Sequence, residues 1–355
     1  MLGKELRAEY EKIQGEYNSF AKKIETVIKE FIEVDGLAVH SISSRCKSPK
    51  SLEAKAQKKV DKKSPYGSLE EITDLAGVRI ITHFASDLDR VATLIEREFD
   101  IDLKNSIDKR MMQDPDRFGY ASIHYVVEFG AGRLALPEYS RYSKFKVEVQ
   151  IRSILQHAWA EIEHDIGYKA DVEIPNNIRR KFSRLSGLLE LADQEFVAIS
   201  SELVEYAKSI REAPVNKLDQ VFVDKTSLES FVTSNEYIVR LDLELAKIMS
   251  NEICEPQFSF KEIDALRYLG VDTLGEILRG VRSNRELILS RARSIADSSN
   301  DLSAGMLCAG ASVAYLMQVI AAKTKDKKFI RGYVDYLDVY NPDNFVSYLL
   351  DFTKT

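Results

Sequence analysis

Apolar residues change their spacing once along this chain, near Ser153, and that change decides what it can fold into. Before it, helical and strand patterns alternate; after it, almost every segment carries the three-to-four-residue spacing of a helix. From Lys4 to about Glu33, Leu6, Tyr10, Ile13, Tyr17, Phe20, Ile24, Ile28 and Phe31 make one amphipathic stripe. Leu37–Ile42 alternates like a short strand and Ser43–Pro49 reads as a polar loop. A basic helix is expected over Lys50–Lys62, stopped by Pro65 and Gly67. Ser68 with Glu71 three residues on has the form of a capping box. The β-branched run Gly77–Phe84 is expected as a central strand, Asp87–Glu98 as a helix and Phe99–Leu103 as a strand. Lys104–Gly119 reads as irregular. Ala121–Phe129 and Phe145–Ile151 alternate as strands, joined through Gly130, Gly132 and Pro137, and helices follow over Ile154–Ile166 and from Asn177 to about Glu212. The pattern predicts an α+β half, a mixed β-sheet flanked by helices, followed by an all-α C-terminal region. Pro214 marks the expected hinge, giving residues 1–213 and 214–355.

A chain of 355 residues is long enough for two domains with separate cores, and a hydrophobic fraction of 45% excludes disorder as its main character. No stretch approaches the roughly 20 apolar residues of a membrane span. The start, MLGKELRAEYEKIQGEY, lacks the apolar core of a secretion signal. Cys46, Cys254 and Cys308 are odd in number and widely spaced, so neither a disulfide framework nor a zinc site follows, and a reducing cytoplasm is the simplest compartment. The net charge of −6 argues against non-specific nucleic-acid binding. It conceals a local excess: between Ser44 and Lys63, Arg45, Lys47, Lys50, Lys55, Lys58, Lys59, Lys62 and Lys63 are opposed only by Glu53 and Asp61. Such a cluster calls for an anion.

Two acids stand at sheet positions near this cluster. Asp74 precedes the strand Gly77–Phe84, and Glu148 lies within the strand Phe145–Ile151. Singly, the first reads as a turn residue and the second as a solvated strand position. Together, on adjacent strands, two carboxylates can hold magnesium with water and phosphate oxygens in the remaining positions. Arg45, Lys47, Lys55 and Arg79 can neutralise a triphosphate by forked and point-charge contacts, whereas Lys58, Lys59, Lys62 and Lys63 read as a solvated helix end. Arg79, between Val78 and Ile80, requires a carboxylate or phosphate partner if its face is interior. Tyr120 can stack on a base while Arg117 reaches phosphates, though core packing explains Tyr120 as well. His157, Glu161 and His164 share a helix face that lacks the zinc-protease pattern and reads as the wall of a pocket. Trp159 reads as core. The His164-Asp165 dipeptide lacks the upstream ligands of a metal-dependent phosphohydrolase.

In order, Ser44-Arg-Cys-Lys-Ser48, Asp74-Leu-Ala-Gly-Val-Arg-Ile-Ile81, Gly119-Tyr-Ala-Ser-Ile-His-Tyr125, Val147-Glu-Val-Gln-Ile-Arg152 and His157-Ala-Trp-Ala-Glu-Ile-Glu-His-Asp165 with Tyr168-Lys169 resemble the synthetase domain of the RelA/SpoT alarmone enzymes. The resemblance covers about Leu37–Lys169. It implies a nucleotidyltransferase-like sheet and transfer of pyrophosphate from ATP to the 3′-hydroxyl of GDP or GTP, giving (p)ppGpp and AMP. It implies that Asp74 and Glu148 bind Mg2+, with Glu148 also the candidate general base, and that Arg45, Lys47, Lys55 and Arg79 hold ATP. Tyr120, Arg117, His124, Gln150 and His157 would surround the acceptor. Ala121 departs from the Arg or Gln common in the family, which leaves adenine nucleotides or the tRNA 3′ end as alternative acceptors. In those toxic relatives' setting, toxin–antitoxin or phage defence, residues 214–355 would act as inhibitor or sensor. A catalytically dead nucleotide-binding module is the third reading. No hydrolase domain is expected before Ser44, and helices outside the site suit a homo-oligomer.

Overall fold

A computed structural model of the protein describes residues 3–112, 122–168, 175–298 and 305–352. Arg117, Tyr120 and Ala121 lie outside the described residues. The chain divides into two compact units, residues 1–199 and 200–355.

In the first unit the N-terminal stripe becomes α1 (Gly3–Val34), with Leu6, Tyr10, Phe20, Ile24 and Ile28 fully buried. Gly36 ends it at φ +61°, where Gly36 and Leu37 donate to the carbonyls of Glu33 and Ile32, a left-handed stop that glycine adopts without strain. Next comes β1 (Val39–Cys46). The expected loop at Ser43–Cys46 is therefore strand, because its polar residues pair antiparallel with β2 (Ala76–Thr82), Arg45 opposite Gly77 and Ser43 opposite Arg79. The basic helix α2 (Pro49–Asp61) starts on Ser48, whose side chain accepts from Ser51 N, with Pro49 in the first turn. At Ser68 the capping box does not form; Glu71 instead accepts from Gly67 N at 2.9 Å.

Then follow α3 (Asp87–Glu98), β3 (Asp100–Ile101), β4 (Ile107–Asp108), β5 (Ile123–Glu128), the single turns α4 (Ala131–Leu134) and α5 (Pro137–Ser140), β6 (Val147–Ser153), α6 (Ile154–Tyr168) and α7 (Asn176–Arg211). The sheet order is β1-β2-β6-β5-β3, with β4 also on β5; β2 and β6 are parallel and the other pairs antiparallel. Alternation gives this sheet two faces. Val78, Ile80, Val147, Val149 and Ile151 bury themselves with the α1 stripe in one core. The intervening positions, Arg79, Glu148, Gln150 and Arg152, stand on the other face, so the period of two sorts apolar from chemical residues.

The second unit holds α8 (Lys225–Ser234), α9 (Glu236–Ile248), β7 (Glu252–Cys254), α10 (Phe260–Tyr268), α11 (Leu274–Ser283), α12 (Arg285–Ser298), β8 (Met306–Cys308), α13 (Ala311–Lys323), α14 (Lys327–Val334) and α15 (Pro342–Asp351). It is helical as expected, with one addition that the pattern did not announce, the parallel ladder of β7 and β8. Asp224, Ser259 and Thr273 begin α8, α10 and α11 with complete capping boxes. The core gathers Leu228, Phe231, Leu245, Leu266, Leu278, Leu316 and Tyr333. Ile210 belongs to it, and Tyr206 and Ala213 pack against it, so the division falls between Ile199 and Ser200, ahead of the expected Ala213–Pro214.

Candidate active site

On the polar face of the first unit's sheet, registers align side chains from separate strands. One row runs Ser43, Arg79, Gln150, His124 across β1, β2, β6 and β5; the next runs Arg45, Gly77, Glu148. Gly77 leaves the second row open between its charges. A cleft of about 640 Å³ lies over these rows, lined by Arg45, Lys47, Lys55, Asp74, Arg79, Glu148 and Gln150 among others. Seven of the eleven expected site residues therefore meet in one cavity.

The backbone under the cleft is held from α1. Tyr10 donates its hydroxyl to Lys47 O at 2.9 Å, and Lys47 N donates to Leu75 O at 2.9 Å, fixing Lys47 beside Asp74. Glu25, buried in the same helix, accepts from Ser44 N at 3.1 Å and Ser44 Oγ at 2.6 Å while pairing with Lys22 and Lys29. Burial works to raise the Glu25 carboxyl, but Lys22, Lys29 and Ser44 hold it down to about 2.

Charge in the cleft is arranged in three groups. Asp74 takes Lys47 Nζ on Oδ2 at 2.7 Å and Lys55 Nζ on Oδ1 at 2.8 Å. Burial opposes the charge of Lys55, yet its contact with Asp74 raises its affinity for the proton. The second group is a relay: Ser122 Oγ lies 2.8 Å from His124 Nε2, and His124 Nδ1 lies 2.9 Å from Glu148 Oε1. Gln150 Nε2 donates to Glu148 Oε2 at 2.8 Å, and Arg152 Nη2 donates to Gln150 Oε1 at 2.7 Å. Burial works to raise the Glu148 carboxyl, but His124, Gln150 and the charge of Lys109 hold it at about 2. In the third group Arg79 Nη1 reaches Glu161 Oε1 at 3.0 Å, with His157 Nδ1 3.8 Å from the same oxygen. Arg79, only 19% exposed, thus has the partner its position requires. Burial first, and then the charge of Arg79, lower the proton affinity of His157.

Cations dominate this face. Among the described residues no carboxylate lies within ion-pair distance of Arg45, and burial together with Arg79 and Arg45 disfavours the charge of Arg152. An anion entering the cleft would relieve that repulsion. Lys58, Lys59, Lys62 and Lys63 are exposed, as a solvated helix end requires; Lys58 also lines the cleft, and its neighbour Lys59 lies over the Tyr66 ring at 5.6 Å. Trp159 is half-buried rather than core. Sequence reasoning assigned no role to Arg152, although its parity with Glu148 and Gln150 on β6 signals the shared face. It also missed Glu25 and Tyr10, whose apolar neighbours in α1 hide them.

The donor set suits one kind of cation. Asp74 and Glu148 offer hard oxygens to one cavity, and among the described residues no third His, Cys, Asp or Glu completes an all-protein cage. Magnesium, bound through one or two carboxylates with phosphate and water oxygens, fits such a set; zinc does not.

Residues 44–173 match the family described as a region found in RelA / SpoT proteins. The GTP pyrophosphokinase YwaC of Bacillus subtilis (strain 168) is 29% identical over 165 residues, 46% of this chain and 75% of that protein. The GTP pyrophosphokinase YjbM of the same strain is 28% identical over 173 residues, 49% of this chain and 77% of that protein. Among solved structures, the small alarmone synthetase 1 from Bacillus subtilis is 25% identical with a TM-score of 0.47, covering 56% of this chain and 98% of that chain.

Proposed function

Because residues 44–173 of this chain belong to the RelA/SpoT family, we propose that the cleft transfers the β,γ-pyrophosphate of ATP to the 3′-hydroxyl of GDP or GTP, giving (p)ppGpp and AMP. The observation that carries this reading is the gathering of Arg45, Lys47, Lys55 and Arg79 with Asp74 and Glu148 in one cavity. Arg45 and Lys58, which among the described residues have no carboxylate within ion-pair distance, meet the polyphosphate, and Lys47 and Lys55 exchange Asp74 for phosphate oxygens as ATP enters. That exchange releases both oxygens of Asp74. Asp74 and Glu148 would then hold magnesium, which when bound offsets phosphate charge. Arg79, kept in place by Glu161, stabilises charge that builds on the transferring group.

Glu148 is ionised at any working pH, and its two neighbours fix the direction of its lone pairs. A carboxyl held so low is a weak base. Its part is to accept the hydrogen bond of the 3′-hydroxyl and take the proton late, as the oxygen bonds to the β-phosphorus and AMP departs. His124, on the far side of that carboxylate, is a positioning residue.

The test offers labelled ATP with magnesium to GDP, GTP, ADP, ATP and bulk tRNA in parallel. Label on a guanine nucleotide is the expected result. Label on tRNA or an adenine nucleotide would replace the acceptor while keeping the chemistry, and no transfer by folded protein to any of them would overturn the reading.

A further inference from the structure

Cys254 and Cys308 stand 54 positions apart in the second unit's sequence and meet in its fold. β7 and β8 pair in parallel with Glu252 opposite Met306, Ile253 opposite Leu307 and Cys254 opposite Cys308. In-register residues on neighbouring strands project to one face about 4.8 Å apart, within the Cα range of roughly 4.4–6.8 Å over which a disulfide closes without backbone movement. The two Sγ atoms stand 3.1 Å apart, and both are half-buried free thiols. Hydrogen bonds fix the register at both ends of the ladder. Glu252 N donates to Gly305 O at 3.0 Å, Ala309 N donates to Cys254 O at 3.0 Å, and Gly305 N donates to Asn251 Oδ1 at 3.2 Å. Just beyond the ladder, Asp242 accepts from Gly310 N at 2.7 Å and Ser312 N at 2.8 Å and so secures the start of α13. Asp242, Cys254 and Ala309 share the wall of a cleft of about 230 Å³. A small reagent can reach Cys254 through it.

We infer that Cys254 and Cys308 form a dithiol site that a low-molecular-weight disulfide converts into an intramolecular disulfide. The Cys254 thiolate attacks one sulfur of the reagent, forming a mixed disulfide and releasing one reagent thiol. The Cys308 thiolate then attacks the Cys254 sulfur and releases the second. Two protein thiols are oxidised by two electrons and one reagent disulfide is reduced to two thiols. A proton shared with Cys254, together with burial, holds the Cys308 thiol above its ordinary value; Cys254, the one of the two that lines the cleft, is placed to meet the reagent first and Cys308 to resolve the mixed disulfide. Cys46 has no such partner, and burial pushes its thiol up to about 11. The bond would clamp a ladder only three residues long, and with it the segment that leads into α13.

The test incubates the reduced full-length chain with oxidised glutathione, quenches with acid, alkylates after denaturation and maps peptides by mass spectrometry. The expected result is a Cys254–Cys308 link within single chains, with Cys46 alkylated. Cys308→Ser should instead retain glutathione on Cys254. Phenylarsine oxide, which binds paired thiols, should bind the reduced wild type at one equivalent per chain and be lost in Cys308→Ser. The wild-type measurements decide the matter even if the variant does not fold. Free, alkylatable Cys254 and Cys308 in the oxidised wild type, or links that run through Cys46 or between chains, would overturn the inference.

Discussion

Glu148→Gln separates holding the cleft together from doing chemistry in it. The substitution keeps the shape and removes the charge. Gln150 Oε1 is already committed to Arg152, so Gln150 continues to present its NH2, and the new amide must turn its oxygen toward it. The amide NH2 then faces His124 Nδ1, which accepts if the imidazole proton sits on Nε2 and is donated to Ser122 Oγ. Every pair survives, and what is lost is the charge. Gln stands in for the protonated acid. Holding the carboxyl at about 2 rather than 4.5 is worth roughly 3 kcal/mol, at about 1.4 kcal/mol for each tenfold change in proton affinity. The carboxylate is 23% exposed and shares this energy with His124, so the variant should lose about 1–3 kcal/mol at pH 7. A depressed carboxyl contributes fully above its ordinary value and loses that contribution as pH falls toward the folded one. The gap between wild type and variant should therefore close between about pH 4.5 and pH 2. Urea unfolding followed by Trp159, the single tryptophan and a residue of the first unit, reads it directly. Pyrophosphate transfer should fall about 10²–10⁴-fold at pH 7. A folded variant that keeps more than about a tenth of wild-type turnover would refute the role given to Glu148, and a gap independent of pH would refute its electrostatic origin.

Lys58→Ala should raise the KM for ATP several-fold with kcat little changed, because Lys58 lines the cleft and among the described residues has no carboxylate within ion-pair distance, whereas Lys62→Ala on the same basic stretch should leave both constants alone; equal effects of the two would show that only bulk charge matters. Two glycine substitutions should move thermal stability in opposite directions. At Gly310, φ +91°, an added Cβ would stand 2.5 Å from Phe258 Cζ, so Gly310→Ala should cost at least about 2 kcal/mol. Gly15 lies inside α1 with open space around it, so Gly15→Ala should gain up to about 1 kcal/mol. Circular dichroism melting curves of both variants check the pair.

Reading the chain locally succeeded where one period governed a segment. The α1 stripe and Asp87–Glu98 were legible because their apolar spacing is regular and their ends carry ordinary stop signals. It failed where a partner strand overrode local character. Ser43–Cys46 is polar enough for a loop, yet β2 supplies the ladder that makes it strand. The ladder of β7 and β8 was invisible for the same reason, since three residues carry no period. Within the site, the residue types and their order along the chain pointed to the cleft. Which of them touch did not follow, because Asp74–Lys47 and His124–Glu148 each join elements far apart in sequence.

Composition and pattern determined that this chain has an α+β half and a helical half, that its basic cluster calls for an anion, and that its motifs resemble those of the RelA/SpoT synthetase region. These are properties of residue identity and spacing, which each segment carries with it. Only the tertiary structure decided that Asp74 holds two lysines, that Glu148 is held ionised by His124 and Gln150, that Lys58 faces the cleft and Lys59 an aromatic ring, and that two distant cysteines share a register. Each of those depends on distances between segments, and electrostatic and thiol chemistry change steeply over a few ångströms that no linear pattern encodes.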